Sequence, residues 1–527
     1  MRVARWATMS VAAMALAFAG AAGDEPRREG RISAAVGSAA RRMQEPGFVM
    51  FGWLSPPLNF PQRERIAELA AAGLNLMLPT YGPIGRLDGR LEDNLAKLDA
   101  AAAVGAKCLV WDERVLTLRR GGSGTSARLD SIVADYRDHP GFFAYYLGDE
   151  PTREWVWLRG VYHELRERDP SHRGWNNLLG RAAFSRRAEW FDYTRWYLDS
   201  TMPAILCNDH YDFKKGQDRG TFVENAAGLA ALGREYGIPF WSIVQLVQHR
   251  DYRALAPGEL RWQIAHLLAY GARGIGFFTY WTPRPDSAQK WQPAMIDRDG
   301  RRTRWYKRIA AWAPRLHAAG GTLARLTWIV TEHAGSMPIG GTPFAPDDWI
   351  AGVEGRAALG HFVDRDGVPY LLVANSDSLA ARTVTLALGG AARTASRLRD
   401  APGSWKRLAI SGARRLRLDL EPGGFELLRL DGHFDRVLAG RVGPLVSADR
   451  RPGEVRLPLS RLGAGARLEI VDAEGRRILG RALAAEFTQW TWRGECDDGS
   501  EAAPGLYFAR VEDERGLAFV RVDWSGR

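Results

Sequence analysis

From about residue 46 to residue 325 the chain repeats one unit. A short apolar run is followed by a stretch with apolar residues three and four apart, and glycine or proline ends it. Such runs read as buried strands, and three-and-four spacing reads as helices with one apolar face. The runs are GFVMFGWL, LNLMLPTYG, AKCLVWDE, GFFAYYLGDE, RGWNNLLG, PAILCNDHY, PFWSIVQLV and RGIGFFTYW. Patterns such as QRERIAELAAAG, RLEDNLAKLDAAAAVG, LDSIVADYRDHP and ELRWQIAHLLAYG separate them. Eight strand–helix units in about 280 residues predict a closed (β/α)8 barrel. A doubly wound open sheet is the competing arrangement, but the Gly-rich phosphate loop that usually follows its first strand is absent.

After residue 325 the period changes to two. GHFVDRDGVPYLLVANS, RTVTLALGG and RRLRLDLEPGGFELLRL alternate apolar and polar residues, and turn pairs such as Asp366-Gly367 punctuate them. That is the pattern of an all-β sandwich, expected over 326–432. A linker-like stretch covers 433–443. A second β unit over 444–527 contains GEVRLPLSR, ARLEIVDAEGRRIL and FTQWTWRG. Residues 1–23 have the form of a signal peptide: Arg2 and Arg5, an apolar stretch too short to span a membrane, then small residues. An N-terminal extension, 24–45, follows, and the mature chain is expected outside the cell or at its surface. No later segment is apolar enough to span a membrane.

Three cysteines, Cys108, Cys207 and Cys496, cannot form a disulfide framework and match no zinc spacing. The net charge is +11, but the arginines are scattered, whereas a nucleic-acid binder gathers them on one face. No metal, cofactor or nucleic-acid partner is expected, and oligomeric state is not legible.

A barrel collects its chemistry at the C-terminal ends of its strands. Those ends carry Trp53; Tyr81; Trp111, Asp112 and Glu113; Asp149 and Glu150; Asn176 and Asn177; Asn208, Asp209, His210 and Tyr211; Gln245, Gln248 and His249; Tyr280 and Trp281. Carboxylates serve acid–base work, amides bind hydroxyls, and aromatic faces stack on sugar rings. Such a set of groups can bind a carbohydrate. No P-loop or zinc cluster competes with that reading.

HPGFFAYYLGDEP and LAYGARGIGFFTYW resemble the large (β/α)8 glycoside hydrolase clan, in particular its family 42 N-terminal-like, β-galactosidase-like barrels. The likeness covers roughly residues 46–320. The sandwich ending LEPGGFELLRL resembles the C-terminal β domains of such hydrolases, and IVDAEGRRIL, WTWRGECDDGS and GLYFARV resemble a FlgD-type Ig-like domain. The resemblance implies an α/β fold: a TIM barrel followed by two all-β domains, a β-sandwich and an Ig-like β-sandwich. It implies Glu150 as general acid/base and Trp281 as the floor of a sugar subsite.

Physical chemistry agrees on Glu150. An acid that protonates a glycosidic oxygen must be neutral near the working pH, and both Asp149 and the apolar Tyr145–Leu147 run push its pKa up. Glu150-Pro151 also reads as a helix start. The chain departs from the clan in two places: Asp149 stands where the clan has asparagine, and strand 7 ends in Gln245 rather than a glutamate nucleophile. Glu259 lies farther on, at the start of the next helix. Asp209 is the expected second carboxylate, as nucleophile or as base for water, with a turn or helix cap as its alternative. Asp112 is the runner-up, with a surface ion-pair cluster as its alternative. Tyr211 and Asn177 are expected hydroxyl binders. Asp149, Gln245, Tyr280 and His210 complete the mouth, with His210 as a wall residue. Trp53 and Trp111 are further subsites or core packing. The function expected is a secreted glycoside hydrolase; the alternative is a catalytically silent, glycan-binding barrel. A lyase would need basic residues at the mouth, where Lys214, Lys215 and Arg250 are the nearest.

Overall fold

The computed structural model describes residues 47–79, 89–118, 125–347, 349–364, 368–390, 392–432, 449–451, 454–458, 466–472, 476–484, 489–513 and 516–524. The signal peptide, the extension, Tyr81, the Asp366-Gly367 turn and the 433–443 linker lie outside the described residues.

Each expected strand forms, and the eight close into one parallel barrel in chain order. They are β1 (Val49–Gly52), β2 (Leu76–Met77), β3 (Lys107–Val110), β4 (Phe142–Asp149), β5 (Gly174–Leu179), β6 (Leu206–His210), β7 (Phe240–Gln245) and β8 (Gly274–Phe278). Around them run α1 (Gln62–Ala71), α2 (Leu91–Ala102), the short α3 (Val115–Leu118), α4 (Thr125–Tyr136), α5 (Trp157–Arg168), α6 (Arg187–Thr201), α7 (Phe222–Tyr236), α8 (Pro257–Ala269) and α9 (Arg304–Leu323).

Aromatic rings fill the barrel. Trp241 lies 5.7 Å from Phe51 and 5.8 Å from Phe143, and Trp175 lies 5.6 Å from Tyr146, centroid to centroid. The small residues of β8 make this possible. A Cβ on Gly274 would stand 2.4 Å from Trp241, and one on Gly276 2.6 Å from Phe51. Part of the chain's tryptophan content is therefore structural, a floor beneath the mouth. Cys108 and Cys207 are buried core residues.

Beyond the barrel, β9 (Thr327–Ala334), β10 (Thr342–Pro343), β12 (Ala357–Val363), β13 (Pro369–Asn375), β15 (Ala392–Leu398), β16 (Trp405–Arg407) and β18 (Phe425–Gly432) form one sheet. A second sheet holds β11 (Ile350–Glu354), β14 (Arg382–Leu388) and β17 (Arg415–Leu420). In β17 the leucines are buried and the charged residues exposed, as alternation across a half-buried strand requires. β13 is buried on both faces. Leu371 and Val373 enter the sandwich core, while Leu372 and Ala374 join the barrel's cluster. The surface they meet is α8, so close that a Cβ on Gly360 of β12 would stand 2.4 Å from the Ala269 carbonyl oxygen.

The final stretch contains a three-stranded sheet of β19 (Asp449–Arg451), β20 (Glu454–Pro458) and β23 (Gln489–Trp492). A four-stranded sheet of β21 (Arg467–Asp472), β22 (Arg477–Ala482), β24 (Gly505–Asp513) and β25 (Gly516–Trp524) completes it. Its core contains Leu468, Ile470, Leu479, Trp492 and Val511. Among the described residues no helix is long and apolar enough to cross a membrane.

Candidate active site

Adjacent parallel strands bring the candidate acids together. Asp149 at the end of β4 is the register partner of Asn177 on β5, and Leu179 on β5 is the partner of Asp209 on β6. Asn177 Nδ2 donates to Asp149 Oδ1 at 3.1 Å and to Asp209 Oδ1 at 3.0 Å. Two acceptors of one planar amide group stand about 5–6 Å apart. At that separation, with an effective dielectric constant near 20, two carboxylates repel by about 3 kcal/mol. Full ionisation of the cluster is therefore unfavourable near neutral pH.

All three carboxyls are pushed up. For Asp149 the first cause is burial and the second the charge of Asp209, against the hydrogen bond from Asn177. For Asp209 burial again leads, opposed by hydrogen bonds from Asn177 and the Tyr211 hydroxyl. For Glu150 the causes are loss of solvation, then Asp209, then Asp149. Water reaches Glu150 at the rim, which tempers desolvation; the upward direction stands on two like charges beside it. Its side chain makes no hydrogen bond or ion pair among the described residues, in contrast to the other two.

The backbone presents Glu150 unusually. Its φ is 47°, in the left-handed region, and its N–H donates to the Asn177 carbonyl at 2.8 Å. The next helix, α5, begins at Trp157, so Glu150-Pro151 does not start a helix. Asp209 lies inside β6 and caps nothing.

Other expected site residues are placed elsewhere. Asp112 is 2% exposed and turned to the helices. Its Oδ1 accepts from Arg114 Nε at 2.8 Å, and its Oδ2 from Arg114 Nη2 at 2.6 Å and from the Tyr136 hydroxyl at 2.7 Å. This corrects the expectation of a second acid there: both oxygens are occupied by an ion-pair cluster in which Asp112 is buried and Arg114 and Asp135 are half-buried. His210 is also turned outward, to Thr221 Oγ1 at 3.2 Å, and is a wall residue rather than a substrate binder. Gln245 is fully buried; its Oε1 accepts from Phe213 N–H at 3.1 Å and its Nε2 donates to the Arg253 carbonyl at 3.0 Å. Its amide ties two loops and is not free for sugar. Tyr280 is fully buried against Gly52, away from the mouth. Glu259 sits in the first turn of α8, paired with Arg253 at 2.6 Å.

The expected tryptophans are largely packing. Trp53 and Trp111 flank Tyr146 at 6.3 and 6.2 Å and are 8% and 4% exposed. Trp281 is 4% exposed, with its ring 4.7 Å from Phe60 and under the Arg65 guanidinium. Little of any of these rings is left for a ligand.

Sequence reasoning named Tyr211 and His249 but passed over the aromatic wall they form with Phe278 and Trp291 on the β6–β8 side. Tyr211, which lies beside Asp209, meets Phe278 at 5.2 Å and His249 at 6.2 Å. His249 stacks on Trp291 at 4.7 Å and 24°. Trp291 lies in the long β8–α9 connection, in the stretch AQKWQP, where no periodicity marks it.

Fold and mouth together define a (β/α)8 barrel with its carboxyl groups gathered at the ends of β4 and β6. The chain matches no model of a known protein family, and no curated protein matches it. Among solved structures it is similar in fold to a glycoside hydrolase family 5 protein from Bacteroides vulgatus, at 15% identity and a TM-score of 0.48, over 73% of this chain and 89% of that one. It is also similar to a catalytic mutant of a GH42 β-galactosidase from G. stearothermophilus, at 9% identity and a TM-score of 0.48, over 73% of this chain and 98% of that one. A third is xylanase 10B from Thermotoga maritima, at 11% identity and a TM-score of 0.37, over 53% and 98%.

Proposed function

We propose that the protein is a secreted glycoside hydrolase, with Glu150 as general acid and Asp209 as the second carboxylate. The observation that carries this is the contrast between the two groups. Glu150 is unpaired, open to the rim and pushed toward its neutral form, with Asp209 as its strongest charged neighbour. Hydrogen bonds from Asn177 and Tyr211 instead favour the ionised form of Asp209. An acid pushed toward its neutral form, beside a carboxyl whose hydrogen bonds oppose that push, is the division of labour that glycosidic cleavage needs.

A glycosidic oxygen placed at Glu150 takes its proton as the bond to the anomeric carbon breaks. Asp209 then either bonds to that carbon or takes a proton from the attacking water. Asp149 shares Asn177 with Asp209 and supplies part of the charge that keeps Glu150 protonated. Residues 1–23, with their signal-peptide form, support export; the first residue of protein recovered from culture medium tests it.

A panel of 4-nitrophenyl glycosides and oligosaccharides tests the activity. Turnover that falls at least 100-fold in Glu150→Gln supports the assignment; turnover unaltered by that change refutes it. The anomer first released, read by proton NMR, tells a nucleophilic Asp209 from a basic one. A glycan-binding barrel without turnover is the second reading. What favours it is the end of β7, where Gln245 is engaged with backbone groups.

A further inference from the structure

Resting on the hydrolase reading, we infer that Trp291 and His249 build a sugar subsite for the unit next to the one being cleaved, on the Asp209 side of the mouth. The wall is continuous. Tyr211 lies beside Asp209, the Tyr211 ring meets Phe278 and His249, and Trp291 stacks on His249 and lies 5.8 Å from Phe278. Trp291 therefore stands one ring beyond Tyr211, on the side of the mouth away from Glu150 on β4. A ligand spanning both acids and continuing in that direction meets Trp291 next.

Two properties suit a sugar. The first is a flat apolar surface that packing has not consumed. Trp53, Trp111 and Trp281 are buried, whereas Trp291 is half-buried, with one face seated on His249. The second is a bare acceptor. A backbone carbonyl only accepts, so the 3.0 Å contact between His249 Nδ1 and the Val247 carbonyl places the ring proton on Nδ1. Burial lowers the His249 pKa, and the ring is neutral. Nε2 is then an unprotonated acceptor, and it has no hydrogen-bond partner among the described residues. A stacking face beside an acceptor for a hydroxyl matches a pyranose, which offers C–H groups on its faces and O–H groups at its edge.

The platform is held in place. Arg250 N–H donates to the Gln289 carbonyl at 2.7 Å, and Gln292 N–H to the Gln248 carbonyl at 3.0 Å, so both sides of Trp291 are tied to the β7 loop. Trp291 is thus a binding residue whose position two loops set.

The test uses the full-length chain with Trp291→Ala, Trp291→Phe and His249→Phe, against 4-nitrophenyl monoglycosides and the matching oligosaccharides. Trp291→Ala is expected to raise KM for oligosaccharides about ten-fold relative to its effect on monoglycosides. Trp291→Phe restores most of that difference. His249→Phe keeps an aromatic seat, loses the acceptor and also raises the oligosaccharide KM. Equal effects of Trp291→Ala on both substrate classes, with the fold intact by circular dichroism, overturn the subsite. Failure of the unaltered protein to turn over any member of the panel defeats the hydrolase reading itself, before any variant is compared.

Discussion

Asn177 joins Asp149 and Asp209 through a single amide nitrogen, 3.1 Å from one carboxyl oxygen and 3.0 Å from the other. The three residues come from three neighbouring strands, so barrel closure itself assembles the cluster. Asn177→Leu removes the donors that favour both ionised forms. The pKa values of Asp149 and Asp209 then rise further, and the acidic limb of the kcat/KM profile moves to higher pH. A profile from pH 4 to 9 checks this; an unmoved acidic limb counts against Asp209 as the working base.

Glu150 occupies the left-handed region at φ 47°. A side chain there costs about 1 kcal/mol that glycine avoids. Glu150→Gly is therefore expected to raise stability by up to about 1 kcal/mol while abolishing turnover. Chemical denaturation of Glu150→Gly and Glu150→Gln against the parent separates relief of backbone strain from relief of charge repulsion.

The carboxyl cluster gives a pH-dependent stability of definite sign. Asp149, Glu150 and Asp209 have pKa values raised above those of the unfolded chain. The folded protein then binds more protons, so this contribution is fully present below about pH 4 and is lost as pH rises through the elevated values. His266 and His333, lowered to about 3 and about 4, act oppositely below about pH 6.5, so the informative comparison lies above it. The urea midpoint should fall between pH 6.5 and 9, and Asp149→Asn should reduce that fall. An equal fall in the variant argues against the cluster as its source.

Asp112 should behave as a structural residue. Removing a buried carboxylate that holds Arg114 and Tyr136 leaves polar groups uncompensated, at a cost of about 3 kcal/mol. Asp112→Leu should lower the denaturation midpoint without changing kcat per folded molecule. A selective loss of kcat would return Asp112 to the active site.

The barrel was legible because its units are local: each strand and helix announces itself within a dozen residues. The strand ends were legible as a group, since topology alone sends them to one mouth. Which side chain faces inward was harder to read. Along β6 the period of two separates Asp209 from His210, and that signal was available in the sequence. Along β4 it is not, because the register shifts between Cys108 and Leu109 and again between Tyr146 and Gly148. The ion pair of Asp112 with Arg114 was legible, but its burial was not, because Tyr136, its other partner, lies 24 residues away on a helix. Trp291 escaped notice because a long connection, rather than a strand, carries it to His249.

The two-faced burial of β13 changes what counts as a removable part of this protein. The sequence shows a boundary near residue 325, where period-two strands replace helices, and an engineer would cut there. Yet Leu372 and Ala374 belong to the barrel's apolar cluster, so the cut passes through a shared interior. A chain ended at Arg325 would expose the outer side of α8 to water and tend to aggregate. The barrel therefore goes with the sandwich that reaches Gly432, and relatives that swapped one half without the other would have to refashion α8 as well.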